Sequence, residues 1–63
     1  MPYKVTVNNQ YSDGSRLHEQ FDTNSGSLHE AIKDARIEAF GIRWIRDGKQ
    51  DLPFKESITC LSL

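Results

Sequence analysis

Apolar and polar residues alternate in two stretches near the start of the chain. The first covers residues 3–8 and the second residues 16–22. Alternation with a period of two predicts strands that have one covered face and one solvated face. Asp13-Gly14 lies between the stretches and is a turn signal, so we expect a β-hairpin. The apolar members are Tyr3, Val5, Val7, Leu17 and Phe21.

The length of the hairpin loop decides which residues pair. A two-residue loop would set Val7 opposite Gln20, whereas a three-residue loop, Ser12 to Gly14, sets Val5 opposite Phe21. Directly opposed residues point to the same side of a sheet, so only the longer loop brings the two apolar faces together. We therefore expect the three-residue loop, with Gly14 in the left-handed conformation that such loops require.

Residues 27–41 form the segment with the strongest helical pattern. Ser27 followed by Glu30 is a capping box at the start, and Gly41 is a typical residue just beyond a helix end. Apolar residues recur between them at spacings of three and four, which predicts one covered stripe. Ile37 lies off the stripe and is expected to contact Ile42 after the helix end. The stripe consists of Leu28, Ala31, Ile32, Ala35 and Ala39.

After the helix we expect a strand with Ile42 and Trp44 on its covered face, followed by a chain reversal at residues 46–49. A short strand should then precede Pro53, and a last strand should cover residues 57–63. The predicted fold is a single α+β domain over residues 1–63, ββαβ(ββ), with an antiparallel-rich sheet and one helix packed on one face. A helix crossover makes the second and third strands parallel, and placing the third beside the first gives the order 2-1-3.

This arrangement leaves one sheet face uncovered. The expected interaction surface on that face combines basic, polar and apolar side chains. Its members are Lys4, Arg16, His18, Arg43 and Ile45.

Composition narrows the classes of function. The 63 residues carry eight basic and nine acidic side chains, a net charge of −1, so the overall basic charge of most nucleic-acid binders is missing. Cys60 is the single cysteine, and we expect it to be a small buried hydrophobic residue of the last strand in a reducing, cytoplasmic protein. Neither a signal peptide nor an apolar run long enough for a membrane is seen, and no membrane association is expected.

Catalytic, cofactor and metal sites are not indicated by the sequence. His18, His29 and Cys60 do not stand at metal-ligand spacings from one another. Paired carboxylates placed for acid–base chemistry and glycine-rich phosphate loops are also missing. We therefore expect neither an enzyme nor a cofactor protein.

The opening hairpin followed by Ser27-Leu28-x-Glu30-Ala31 and Ala35 resembles the N-terminal ββαβ part of HicB-type antitoxins, which are partial ribonuclease-H-like domains. The layout is also similar to small proteins of phages and mobile elements, many of which inhibit a host protein. The prolines that precede the helix in HicB-type antitoxins are missing here. The resemblance implies a dimer that binds and blocks another protein, and it assigns no functional residue.

These observations favour a non-catalytic protein-interaction module, in its most concrete form a regulator or inhibitor carried by a phage or mobile element. Its partner would be another protein or a second copy of the chain. The alternative is a weak nucleic-acid-binding domain that uses the uncovered sheet face. Lys4, Arg16 and Arg43 would then contact phosphates, although the aromatic platform of single-strand readers is missing there.

Overall fold

A computed structural model describes residues 2–63. The elements are β1 (Pro2–Gln10), β2 (Arg16–Asn24), α1 (Leu28–Asp47) and β3 (Lys55–Ser62). The three strands form one antiparallel sheet in the order β2-β1-β3. The helix packs on one face of the sheet, mainly over β1 and β2. The predicted α+β class is confirmed.

The hairpin has the predicted three-residue loop. Val5 faces Phe21, and Asn9 faces Leu17. The Gly14 N–H donates to the Tyr11 carbonyl at 3.0 Å, and Gly14 has a φ of 88°, the left-handed region that glycine adopts without strain. The requirement that both apolar faces lie on the same side of the sheet therefore predicted the loop length correctly.

The helix begins as predicted. Ser27 has an extended backbone, and its side chain accepts a hydrogen bond from the Glu30 N–H at 3.3 Å. The Glu30 carboxylate reaches back one residue further than a capping box does, to the Gly26 N–H at 3.3 Å. Within the predicted stripe Ala31 is among the buried alanines, whereas Leu28 is half exposed.

The helix does not end at Gly41, so the predicted stop is wrong. It continues to Asp47, and Gly48 takes the left-handed C-cap with a φ of 68°. The Gly48 N–H donates to the Trp44 carbonyl at 2.8 Å. The expected strand over residues 42–45 is therefore helix, and the expected contact of Ile37 with Ile42 beyond a helix end does not apply.

The strand that follows the helix is the last one, β3, and it pairs with β1. Because β2 and β3 are both antiparallel to β1, they run in the same direction, as the crossover argument predicts. The observed order β2-β1-β3 has the predicted form 2-1-3, but the strand beside β1 is residues 55–62, whereas the prediction placed residues 42–45 there. Within residues 2–63 the short strand expected before Pro53 is not formed.

The core between helix and sheet is thin. The buried hydrophobic residues on its sheet side are Val5, Val7, Tyr11 and Leu17, and those on its helix side are Ala31, Ala35 and Ala39. Partly buried residues pack around them: Tyr3, Phe21, Ile42, Ile58 and Cys60. Among residues 2–63, nine large hydrophobic side chains are exposed instead. Trp44, expected in the core, is 54% exposed, because the helix carries it to the side opposite the alanines.

Candidate interaction surfaces

Arg43 is the largest fully buried side chain among residues 2–63, which contradicts its predicted place on the uncovered sheet face. The helix continues past Gly41, and Arg43 follows Ala39 by four positions. Helical spacing therefore turns Arg43 towards the sheet. An arginine at such a position requires partners for its charge and its N–H groups.

All five N–H groups of Arg43 find acceptors. Asp51 is bound twice, by Nε at 2.9 Å and by Nη2 at 3.2 Å. Nη1 donates to the Ser15 hydroxyl at 2.7 Å and to Asp47 at 2.8 Å, and Nη2 donates to Asp13 at 3.3 Å. A bidentate carboxylate together with full use of the donors is the geometry that arginine favours over lysine.

Two further cations balance the charge of this group. Lys49 pairs with Asp13, and Arg46 pairs with Asp47 at 3.4 Å. Three cations thus meet three aspartates, so the group is neutral as a whole. We call it the Arg43 cluster: Asp13, Ser15, Arg43, Arg46, Asp47, Lys49 and Asp51.

The ion pairs shift the acidity of all three aspartates. Lys49, followed by Ser15, lowers the pKa of Asp13 well below its usual range. Hydrogen bonds from Arg43 are the main cause of the lowered pKa of Asp47 and of Asp51. Each carboxylate is therefore held in its charged form.

The Arg43 cluster connects segments that are distant in sequence. Asp13 and Ser15 belong to the hairpin loop, Asp47 ends the helix, and Asp51 lies in the loop before β3. Arg46 adds a hydrogen bond to the Arg16 carbonyl at the start of β2, at 3.1 Å. The arrangement is that of a structural clamp, with the central guanidinium enclosed.

Three of the predicted surface residues do share the uncovered sheet face. Lys4, Arg16 and His18 alternate with the buried residues of β1 and β2. Lys55 joins them, because it and Arg16 both pair with Gln10. We call this the open sheet face; the sequence interpretation missed Lys55 because it placed the last strand two residues later.

Ile45 is exposed as predicted, at 88%, but it lies on the helix and not on the sheet. Ile37 and Trp44 lie on the same outer side of α1, and Phe40 lies at its margin. We call these four residues the α1 ridge. The spacings of three, four, seven and eight along a helix could have identified the ridge, had Gly41 not been taken as the helix end.

A groove of about 510 Å³ lies between α1 and β2. Phe21 and Ile37 are its apolar lining residues, and its acidic lining residues are Asp22, Asp34 and Glu38. At one end of the groove, the Ser25 hydroxyl donates a hydrogen bond to the Asp34 carboxylate at 3.0 Å. The groove is open and mixed in polarity, and it extends the α1 ridge towards the sheet edge.

A smaller hollow of about 100 Å³ lies on the other side of the helix, beneath the loop before β3. Asn9 contributes a buried Oδ1 atom without a hydrogen-bond partner, while its Nδ2 donates to the Tyr11 hydroxyl at 3.3 Å. The volume suits a few water molecules. Phe40 and Leu52 form its apolar rim.

Within residues 2–63 no cluster of three or more histidine, cysteine or acidic side chains is arranged to hold a metal ion. No helix in that range has both the length and the apolar character to cross a membrane. Comparisons with protein-family models, with curated proteins and with solved structures give no match to this chain.

Proposed function

We propose that the protein is a non-catalytic protein-interaction module and that the α1 ridge is its contact surface. The observation that carries the proposal is the exposure of Ile37, Trp44 and Ile45, at 61%, 54% and 88%. The helix buries three alanines and Arg43 against the sheet, so these three exposed side chains contribute little to the stability of the fold.

The ridge has the properties of a helix that inserts into a groove of another protein. Residues at positions i, i+4, i+7 and i+8 line one side of a helix, and here they are Ile37, Gly41, Trp44 and Ile45. Burying one large aliphatic side chain contributes about 1.5–3 kcal/mol, and tryptophan is enriched among the residues that dominate binding energy. Gly41 leaves open space above the helix backbone, so a partner can approach closely there.

The narrower role within this proposal is a regulator or inhibitor carried by a phage or mobile element. It is supported by the resemblance of the hairpin and helix start to HicB-type antitoxins. The partner would be a folded protein with an apolar groove, and its blocked activity would be the biological effect.

The test places a photo-crosslinking amino acid at position 45 or, as a control, at position 20 on the open sheet face. The variants are expressed in the cell that encodes the protein. We expect one protein to be captured from position 45 only. That protein is then purified, and its affinity for wild type and for Ile45→Asp is measured by calorimetry.

The expected result is direct binding that Ile45→Asp weakens by about tenfold or more. Circular dichroism should show that Ile45→Asp is folded, because the side chain is exposed. Equal capture from both positions, or binding that Ile45→Asp leaves unchanged, would show that the α1 ridge is not the contact surface.

A second candidate is nucleic-acid binding by the open sheet face. The observation that favours it is the charge of this face. Three basic residues, Lys4, Arg16 and Lys55, outnumber Asp22, the one acid among the described residues of that face. Titration of DNA and RNA at two salt concentrations tests it. Micromolar binding that falls steeply with salt and is weakened by Arg16→Ala would favour this function over the first.

A further inference from the structure

The two outer strands of the sheet differ in how well their edges are protected. The β2 edge carries charge at Arg16, Glu19 and Asp22. In β3, charge is confined to Lys55 and Glu56 at its start, and residues 57–63 contain no charge, proline or glycine. Natural sheets protect exposed edges with such residues, because an open edge pairs with other strands.

The backbone of β3 is oriented for such pairing. The Leu63 N–H donates to the Pro2 carbonyl at 3.1 Å. Hydrogen-bonded residues alternate along an antiparallel pair, so in β3 the odd-numbered residues turn their N–H and C=O groups towards β1. Ile58 and Cys60 consequently turn theirs outward, and no strand among residues 2–63 lies beyond them.

We propose that β3 pairs antiparallel with β3 of a second copy, about a two-fold axis at Thr59. This inference goes beyond the proposed function, because it uses a different surface. The product is a six-stranded sheet in the order β2-β1-β3-β3-β1-β2 with both helices on one side. Closed two-fold dimers are the commonest soluble oligomers.

A second copy fits this edge because the edge is self-complementary in that register. Ile58 stands opposite Cys60 of the second copy, and the outward backbone groups of the two residues exchange hydrogen bonds. Lys55 stands opposite Leu63 and Glu56 opposite Ser62, so no like charges are directly opposed. The register also uses the full length of β3.

Apolar side chains flank the same edge and add contact area. Phe40 and Leu52 share the 100 Å³ hollow with Glu56 of β3, and Leu61 and Leu63 are 58% and 61% exposed on the other side of the sheet. Strand pairing with these flanks buries more surface than the backbone alone, as a specific interface requires. Ile37, Trp44 and Ile45 of the α1 ridge lie away from this contact, so each dimer still presents two sets of these side chains.

Disulfide trapping tests the register. Thr59 faces itself across the axis in a non-hydrogen-bonded pair, where Cα atoms are about 4.5 Å apart, within the range for a disulfide. We expect the double variant Cys60→Ser, Thr59→Cys to form a covalent dimer under mild oxidation. The control is Cys60→Ser, Gln20→Cys, since Gln20 and Thr59 both pair with Thr6, on opposite sides; it should remain monomeric in a denaturing gel.

Sedimentation of the native chain gives a second, independent measurement. Wild type and Gln20→Lys should show dimers, and Thr59→Lys should weaken dimerisation about tenfold or more by setting two ammonium groups against each other. Melting curves confirm that both variants fold. A monomeric wild type, cross-linking in both cysteine variants, or a dimer broken by Ile45→Asp but not by Thr59→Lys would overturn the proposal. None of these results depends on whether the α1 ridge binds another protein.

Discussion

The guanidinium carbon of Arg43 lies 3.8 Å from the centroid of the Tyr11 ring. The ring covers one face of the cation, while carboxylates and a hydroxyl occupy its edges. Stacking on an aromatic face and bonding in the plane are compatible, because guanidinium is planar. Arg43 therefore serves as part of the core, in a position where the helix otherwise presents alanines.

Replacing Arg43 with lysine should destabilise the fold strongly. Lysine retains the charge but cannot reproduce five in-plane donors or the stacking on Tyr11. We expect Tm to fall by about 10 °C or more. The matched control is Arg36→Lys, whose partner Glu56 lies in an exposed ion pair at 2.8 Å, and it should change Tm by no more than about 3 °C. Similar Tm shifts for the two variants would contradict the role of Arg43.

Stability should fall in acid because of the Arg43 cluster. The folded state lowers the pKa of Asp13, Asp47 and Asp51 below the ordinary value of 3.8. The unfolded chain therefore binds more protons than the folded chain below about pH 5. The stabilisation is present above the unfolded pKa and is lost as pH falls through the folded values. Tm measured from pH 6 to pH 2 should decline steeply at the acid end.

The variant Asp51→Asn identifies the source of that decline. It should lower Tm at neutral pH and flatten the dependence of Tm on pH, since one of the coupled carboxylates is removed. Asp22→Asn removes a carboxylate from the open sheet face and is the control. A pH dependence that Asp51→Asn leaves as steep as in wild type would place the acid sensitivity outside the Arg43 cluster.

Two glycines should respond in opposite directions to replacement by alanine. Gly14→Ala should cost about 1 kcal/mol, because a side chain is strained at a φ of 88°. Gly41→Ala should stabilise by about 0.5–1 kcal/mol, since Gly41 lies inside α1 and a Cβ there meets nothing within 4 Å. Urea denaturation measures both. A destabilising Gly41→Ala would show that the helix does not run straight through this position.

The variant Ser27→Ala should cost about 1 kcal/mol by removing the acceptor for the Glu30 N–H. Urea denaturation should show a lower midpoint with an unchanged slope. Ser12→Ala, in the exposed hairpin loop, controls for the loss of a serine hydroxyl. Equal midpoints for wild type and Ser27→Ala would mean that the helix start is held by other contacts.

The hairpin and the helix start were predictable because they depend on local rules. Apolar alternation and loop geometry determine which residue faces Val5, and the spacing of Ser27 and Glu30 marks a helix start. The helix end was not predictable in this way. Gly41 costs about 1 kcal/mol in a helix interior, and the cost is accepted because tertiary contacts hold the segment that follows.

Those contacts depend on residues that no local pattern connects. Arg43 reads as a surface residue until Asp13 and Asp51, which lie 30 and 8 positions away, are known to surround it. Once residues 42–47 are helical, Trp44 and Ile45 turn outward and the α1 ridge appears. The error at a single glycine therefore changed the predicted surface more than it changed the predicted fold class.

The small residues with which α1 packs on the sheet are distinct from the large residues that it exposes. Ala31, Ala35 and Ala39 fix how closely the helix approaches the sheet, and the side chains of Ile37, Trp44 and Ile45 do not enter that space. Substitutions on the ridge can therefore accumulate without disturbing the interior. A lineage of such chains could change what it recognises while retaining the same scaffold, and the fold should tolerate substitution best on the α1 ridge.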